Sequence, residues 1–336
     1  MTGASHPPVA KLEDVAARVG LSPATVSLVL RNRPGPSTVT RQRILQAAAE
    51  LNYRPNRTAS ILARHKTHLL GVLIDVRNAF HAELVNELQE AADEYGYDLV
   101  LSTTTRTRKE RQAIETLVDS RCEALILLGP DSPAPDLVTL DDHQPIVVVG
   151  RRITGGGIDV VRTADDKGVA GAVNHLTALG HTRAAFIDGG SGTIATDRRR
   201  GYRIAMRRNG LSDKIQIFPG DHTEKAGIAA AHVILTQPQS PTAVIAFNDR
   251  SALGLIDGLT RAGWTIPSDM SVVGYDDTPL SQLAHINLTT VSQDAQWQAR
   301  QAVEAAVQRL DGGRTQSREI VHEPTLIVRG TTAPPP

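Results

Sequence analysis

LEDVAARVGLSPATVSLVLRN, residues 12–32, carries two apolar stripes at helical spacing with one tight turn between them. Leu12, Val15, Ala16 and Val19 fall at i, i+3, i+4 and i+7, which is one face of a helix. Gly20 ends that helix, and Leu21 lies in the turn. Ser22-Pro23 starts the next one, a hydroxyl N-cap with proline at the first helical position. Val26, Val29 and Leu30 form the second stripe. Further on, Ser37 is placed to cap a third helix that carries Ile44, Ala48 and Leu51 inward. Two short helices joined through Gly20-Leu21 have helix-turn-helix spacing, which unrelated helical bundles also show.

Charge sharpens that reading. Residues 1–66 hold ten Lys/Arg against three acids, a surplus of seven positive charges. The remaining 26 Lys/Arg face 33 acids, so the neutral whole is a basic head on an acidic body. That asymmetry points to nucleic acid. The chain has 336 residues, 40% of them hydrophobic, which suggests two or three domains and excludes a disordered protein. The single cysteine, Cys122, excludes an intrachain disulfide and most cysteine-based metal sites. No apolar run approaches the roughly 18 residues of a membrane span. MTGASHPPVAK, at the start, lacks an apolar stretch behind a basic tip. The expectation is a cytoplasmic protein.

From Leu69 onward β-rich runs alternate with helical ones. The strands read as 69–76, 98–104, 124–129, 145–150, 184–189, 215–218, 243–247 and 270–275. Helices are expected at 80–95, 109–120, 166–179, 198–209, 224–236, 250–262 and 294–310. Near-continuous apolar strands between helices mean parallel sheets covered on both faces. A barrel and two doubly wound lobes both fit this spacing.

LEDVAARVGLSPATVSLVLRN (12–32) and LNYRPNRTASILARHKT (51–67) resemble the lactose-repressor (LacI/GalR) family of bacterial transcription regulators. HLTALGHTRAAFIDG (175–189), RRRGY (198–202), PTAVIAFND (241–249), SVVGYDD (271–277) and LTTVSQD (288–294) look like that family's effector-binding core. The resemblance spans Lys11 to Arg329. It implies an α/β chain: an N-terminal helix-turn-helix head with a hinge helix (1–66), then a two-lobed, periplasmic-binding-protein-like core of doubly wound parallel sheets (67–330) and a tail (331–336). Lobe one would use about 69–164 and 292–321, lobe two about 165–291 and 322–330.

In the head the resemblance places base-reading side chains at Pro23, Ala24 and Leu28, none of which is a hydrogen-bond donor. Readout then leans on thymine methyls and on Ser22 and Ser27, while Thr25 and Arg31 hold phosphates. Leu62 matches the family's wedge, pushed between base pairs to kink the duplex, flanked by Asn56, Arg57 and Ala59 in the minor groove. The expected partner is a near-palindromic double-stranded operator, bound by a homodimer.

The residues matching the family's effector pocket are Phe80, His81, Arg198, His222, Phe247, Asn248, Asp276 and Gln293. A guanidinium fork with a carboxylate acceptor suits a sugar or polyol, whose hydroxyls both give and take hydrogen bonds. Gly192 and Ile194 stand where the purine-binding branch carries polar contacts, which argues against a purine. Arg151-Arg152 read as surface residues, with an acidic or phosphorylated sugar as the other use. No cofactor, metal or catalytic residue is expected: scanning finds no P-loop, no G-x-S-x-G and no HExxH. The alternative function is a solute-binding protein of a sugar transporter, which the basic head opposes.

Overall fold

The computed structural model describes residues 10–30, 33–53, 66–153 and 157–336. The chain divides into two compact units, Met1–Thr67 and His68–Pro336.

In the first unit three helices, α1 (Leu12–Val19), α2 (Pro23–Leu30) and α3 (Thr38–Glu50), pack around Val15, Ala16, Val19, Val26, Val29, Ile44, Ala47 and Ala48. Gly20 takes the left-handed conformation (φ 66°) that lets the chain leave α1 sharply. Ser22 Oγ accepts the Thr25 amide at 3.2 Å and Ser37 Oγ accepts that of Thr40 at 3.3 Å, so both serines act as N-caps. Arg43 donates to the Val19 carbonyl at 3.2 Å and Arg41 to that of Arg33 at 2.6 Å. Part of the head's positive charge is thus spent holding its own loops.

The second unit contains two six-stranded sheets. The first has the order β11-β5-β4-β3-β1-β2, built from β1 (Leu69–Asp75), β2 (Asp98–Thr104), β3 (Ala124–Leu128), β4 (Ile146–Val149), β5 (Asp159–Thr163) and β11 (Glu319–His322), all parallel. The second has the order β12-β10-β9-β8-β6-β7, built from β6 (Ala184–Ile187), β7 (Ile217–Phe218), β8 (Ala243–Ile245), β9 (Ser271–Asp276), β10 (Thr289–Ser292) and β12 (Thr325–Ile327). Only β12 runs antiparallel to its neighbour.

Helices cover both faces of each sheet, which is why the central strands are apolar throughout. On the first sheet, Val72 and Ile126 meet α4 (Ala79–Glu94) and α11 (Ala295–Leu310), while Leu73 and Leu125 meet α5 (Glu110–Asp119) and α6 (Ala134–Asp141). On the second, α7 (Asp165–Ala178) and α8 (Thr193–Arg208) cover one face, and α9 (Glu224–Leu235) and α10 (Asp249–Arg261) the other. The chain passes from one sheet to the other after Thr163, Ser292 and His322. Two open sheets replace the barrel alternative.

Two features depart from the sequence reading. Strands β5, β10, β11 and β12 and helix α6 were not among the expected elements. In β5 the apolar pattern is broken by buried charges: Asp159 is gripped by Arg314 at 2.9 and 2.8 Å, and Arg162 donates to Glu319 at 2.6 Å. The expected tail is no free tail. Thr331 is buried, its Oγ1 donates to the Val272 carbonyl at 2.7 Å, and Val272 donates back to its carbonyl at 2.8 Å. His181 Nε2 holds the Ala333 carbonyl at 2.8 Å. Among the described residues no helix is long and apolar enough to cross a membrane.

Candidate functional site

Open parallel sheets bind ligands at the carboxyl ends of their strands, where the strand order reverses. In the first sheet that point lies between β1 and β3, in the second between β6 and β8. The ends of all four strands face one cavity of about 400 Å³, lined by Asp75, Leu128 and Gly129 from one sheet and by Gly189, Phe247 and Asn248 from the other. All eight expected effector residues line it: Phe80, His81, Arg198, His222, Phe247, Asn248, Asp276 and Gln293. A methyl group on Gly189 would come within 2.2 Å of the Phe247 ring, so only glycine lets that ring lie where it does.

Several of these side chains are less free than the sequence suggests. Arg198 is buried; its Nε donates to Asp165 at 2.7 Å and one terminal nitrogen to the Phe247 carbonyl at 2.6 Å. Its guanidinium carbon sits 3.5 Å from the Tyr275 ring centre and 4.7 Å from that of Phe247. Its other terminal nitrogen stands 3.8 Å from Asp276, so one edge of the fork remains for a ligand. Asn248 is the N-cap of α10, accepting the Ser251 amide at 2.9 Å, and its amide nitrogen donates to the His222 carbonyl at 3.2 Å. Gln293 donates to Asp276 at 2.7 Å and fixes that carboxyl in place.

Asp276 is no simple acceptor. Burial pushes its carboxyl up to about 8; Arg198 opposes this and Asp249 adds to it. That shift favours the protonated form, which donates as well as accepts. His81 is the converse case. Burial drives it down to about 4, and its Nδ1 accepts the Asp75 amide at 3.0 Å, so the proton of the neutral ring is on Nε2. Phe80 both lines the cavity and packs into the first sheet's core, and the His222 ring tilts against Phe247 at 5.2 Å.

The sequence reading missed Asp75, Arg77, Asp131, Asp165 and Thr193. Asp75 is the acid that ends an otherwise apolar strand, a signal available at positions 69–75. It binds the Arg77 side chain through two contacts, at 2.9 and 2.6 Å, and the Arg77 amide at 2.9 Å. Arg151, expected at the surface, lines the cavity half-buried, and its Nε is buried with no hydrogen-bond partner among the described residues. Across the cavity Arg250 is forked onto Glu224 at 2.7 and 2.6 Å and also donates to the Arg77 carbonyl, joining the two sheet systems.

In the head unit Ser22, Pro23, Ala24 and Leu28 are exposed, Thr25 and Ser27 half-buried, and Leu28 keeps 43% of its surface open. Ala24, Ser27 and Leu28 fall on the half of α2 opposite Val26 and Val29. The Ser22 hydroxyl is engaged by Thr25, so its first role is the cap. Arg31, Asn56, Arg57, Ala59 and Leu62 lie outside the described residues.

Such a helix-turn-helix unit and a periplasmic-binding-protein-like core define a class, and comparison with known proteins agrees with it. Residues 11–56 match the family described as bacterial regulatory proteins, lacI family, and residues 173–332 match a periplasmic binding protein-like domain. The chain is 33% identical over 333 residues to the HTH-type transcriptional regulator GalR of Escherichia coli (strain K12), covering 97% of each. To the ribose operon repressor of the same strain it is 32% identical, over 96% of this chain and 100% of that one. A LacI transcriptional regulator from a Rhodococcus species superposes with TM-score 0.76 and 42% identity, over 79% of this chain and 98% of that one. The lac repressor dimer bound to operator and the anti-inducer ONPF gives TM-score 0.83 and 29% identity, over 97% and 100%. This chain therefore belongs to the lacI family of bacterial regulatory proteins.

Proposed function

We propose that this protein is a cytoplasmic, sequence-specific transcriptional repressor whose operator affinity is set by a small sugar-like effector held between the two sheets of its core. Residues 1–66 form the DNA-reading part and 67–330 the effector-binding and dimerising part. The carrying observation is the cavity itself. It offers donors (Arg198, Arg77, His81 Nε2), acceptors (Asp75, Asp131) and one group that does both (Asp276), beside the apolar faces of Phe80 and Phe247. That mixture matches vicinal hydroxyls on a ring with apolar faces. The relatives' names, a regulator called GalR and a ribose operon repressor, point the same way. The exposed face of α2, from Ser22 to Leu28, reads the major groove, and a homodimer doubles it over a near-palindromic site.

The solute-binding alternative has no use for the basic first unit. The test is a thermal-shift screen of the full chain against sugars and polyols. A sugar at 100 times its Kd stabilises by about 2.7 kcal/mol through mass action. A panel in which no sugar or polyol moves the melting temperature contradicts the effector reading.

A further inference from the structure

A second cavity, of about 230 Å³, adjoins the cleft and shares Asp75, Arg77, Leu128, Gly129 and Asp131 with it. It lies at the carboxyl ends of β1, β2 and β3, beside the same reversal of strand order. The shared wall includes the Arg77 side chain, which is 55% exposed and anchored on Asp75. A ligand reaching from one cavity into the other meets a donor and an acceptor there.

The far side is polar and built in advance. Arg108 is fixed by the Thr116 hydroxyl at 2.6 Å, and the Glu110 carboxylate takes the amides of Asp131 at 2.6 Å and Ser132 at 3.0 Å. Leu73, Ile74 and Leu128 supply apolar surface, Thr104 and Thr105 hydroxyls. Three cations (Arg77, Arg108, Lys109) meet three carboxylates (Asp75, Glu110, Asp131) in the lining. A phosphate or other strong anion finds no net positive field there, whereas a neutral ring with several hydroxyls finds donors and acceptors in alternation.

We infer that the effector is a neutral saccharide of two units, one ring in the cleft and the second in this side cavity, with the linkage over Asp75–Arg77. The inference rests on the sugar reading of the cleft and adds the length of the ligand to it.

The experiment is calorimetric titration of the full chain with glucose, galactose, ribose, maltose, cellobiose, lactose, melibiose and trehalose. It is repeated for Lys109→Ala and Thr104→Phe; the second fills the side cavity and the first, at its rim, is the milder change. The expected result is a disaccharide bound at least about tenfold more tightly than its constituent monosaccharides. Either variant should weaken that disaccharide by about fivefold or more while changing monosaccharide binding less than about twofold. A monosaccharide bound as tightly as every disaccharide, or both variants leaving the disaccharide unchanged, overturns the two-unit inference alone. Absence of binding by all eight sugars overturns the sugar reading beneath it.

Discussion

Replacing Arg198 by alanine tests whether this residue is a ligand contact or a keystone of the core. The structure makes it both, and the structural part dominates. The substitution leaves the Asp165 side chain, 5% exposed, without its 2.7 Å partner, and the Phe247 carbonyl without a donor. Removing one member of a buried pair costs about 3–5 kcal/mol. In a core this large, each kcal/mol lowers the melting temperature by about 2 °C, so the expected drop is roughly 6–10 °C. The orphaned carboxyl also sets the pH dependence. Burial already raises Asp165 from its ordinary value, and without Arg198 it rises further. A folded-state acid raised above its unfolded value favours the fold at low pH and loses that contribution as pH rises. The variant's deficit should therefore be smaller at pH 5 than at pH 8. Adding Asp165→Leu removes the uncompensated charge and should recover about half of the loss or more. The assay is thermal melting of the full chain, wild type, single and double variants, across that pH range. A single variant that melts within about 2 °C of wild type, or a double variant no better than the single, refutes the reasoning.

Asp276→Asn should flatten the pH profile of the unliganded protein. The folded carboxyl titrates near 8 and the unfolded one near 3.8, so Asp276 contributes stability below about 4 that is lost as pH rises towards 8. Melting curves from pH 5 to 9 should show a smaller decline in the variant than in wild type; an equal decline counts against the buried, protonated state. Deleting residues 331–336 removes the Thr331 bonds to Val272 and the His181–Ala333 bond, leaving buried groups on β9 unpartnered. A loss of about 2–4 kcal/mol in denaturant unfolding is expected, whereas a disposable tail would cost nothing. Ser22→Ala removes the cap of α2 and should destabilise the first unit by about 1 kcal/mol, seen as faster amide exchange in residues 23–30. Unchanged exchange there would assign the Ser22 hydroxyl to something other than capping.

The head was legible because its signals are local. Gly20, Ser22-Pro23 and the Val26–Val29 stripe each specify one turn, cap or face without reference to distant residues. The central strands were legible as uninterrupted apolar runs. Strand β5 was not, because Asp159 and Arg162 are buried by partners at positions 314 and 319, more than 150 residues away. The docked end of the chain was hidden for the same reason, since GTTAPPP carries no pattern and is held by Ser271, Val272 and His181. The resemblance brought eight residues to one cavity but could not tell which were already engaged. Asn248 reads equally well as a ligand group or as a helix cap, and only the 2.9 Å bond to the Ser251 amide identifies the cap. Arg198 likewise hides its debt to Asp165, which sits 33 positions earlier. The Asp75–Arg77 pair needed only attention to an acid at the end of an apolar strand.

The central claim is that occupancy of the cleft changes operator affinity. Fluorescence anisotropy of the full chain on an operator selected from random duplex, with and without the sugar that gives the largest thermal shift, tests it at one fixed salt concentration. The predicted result is a change in affinity of about 5–150-fold, and the same factor in the sugar's affinity when operator is bound. A sugar that saturates the core and raises its melting temperature, yet leaves operator affinity the same within about twofold, contradicts the account.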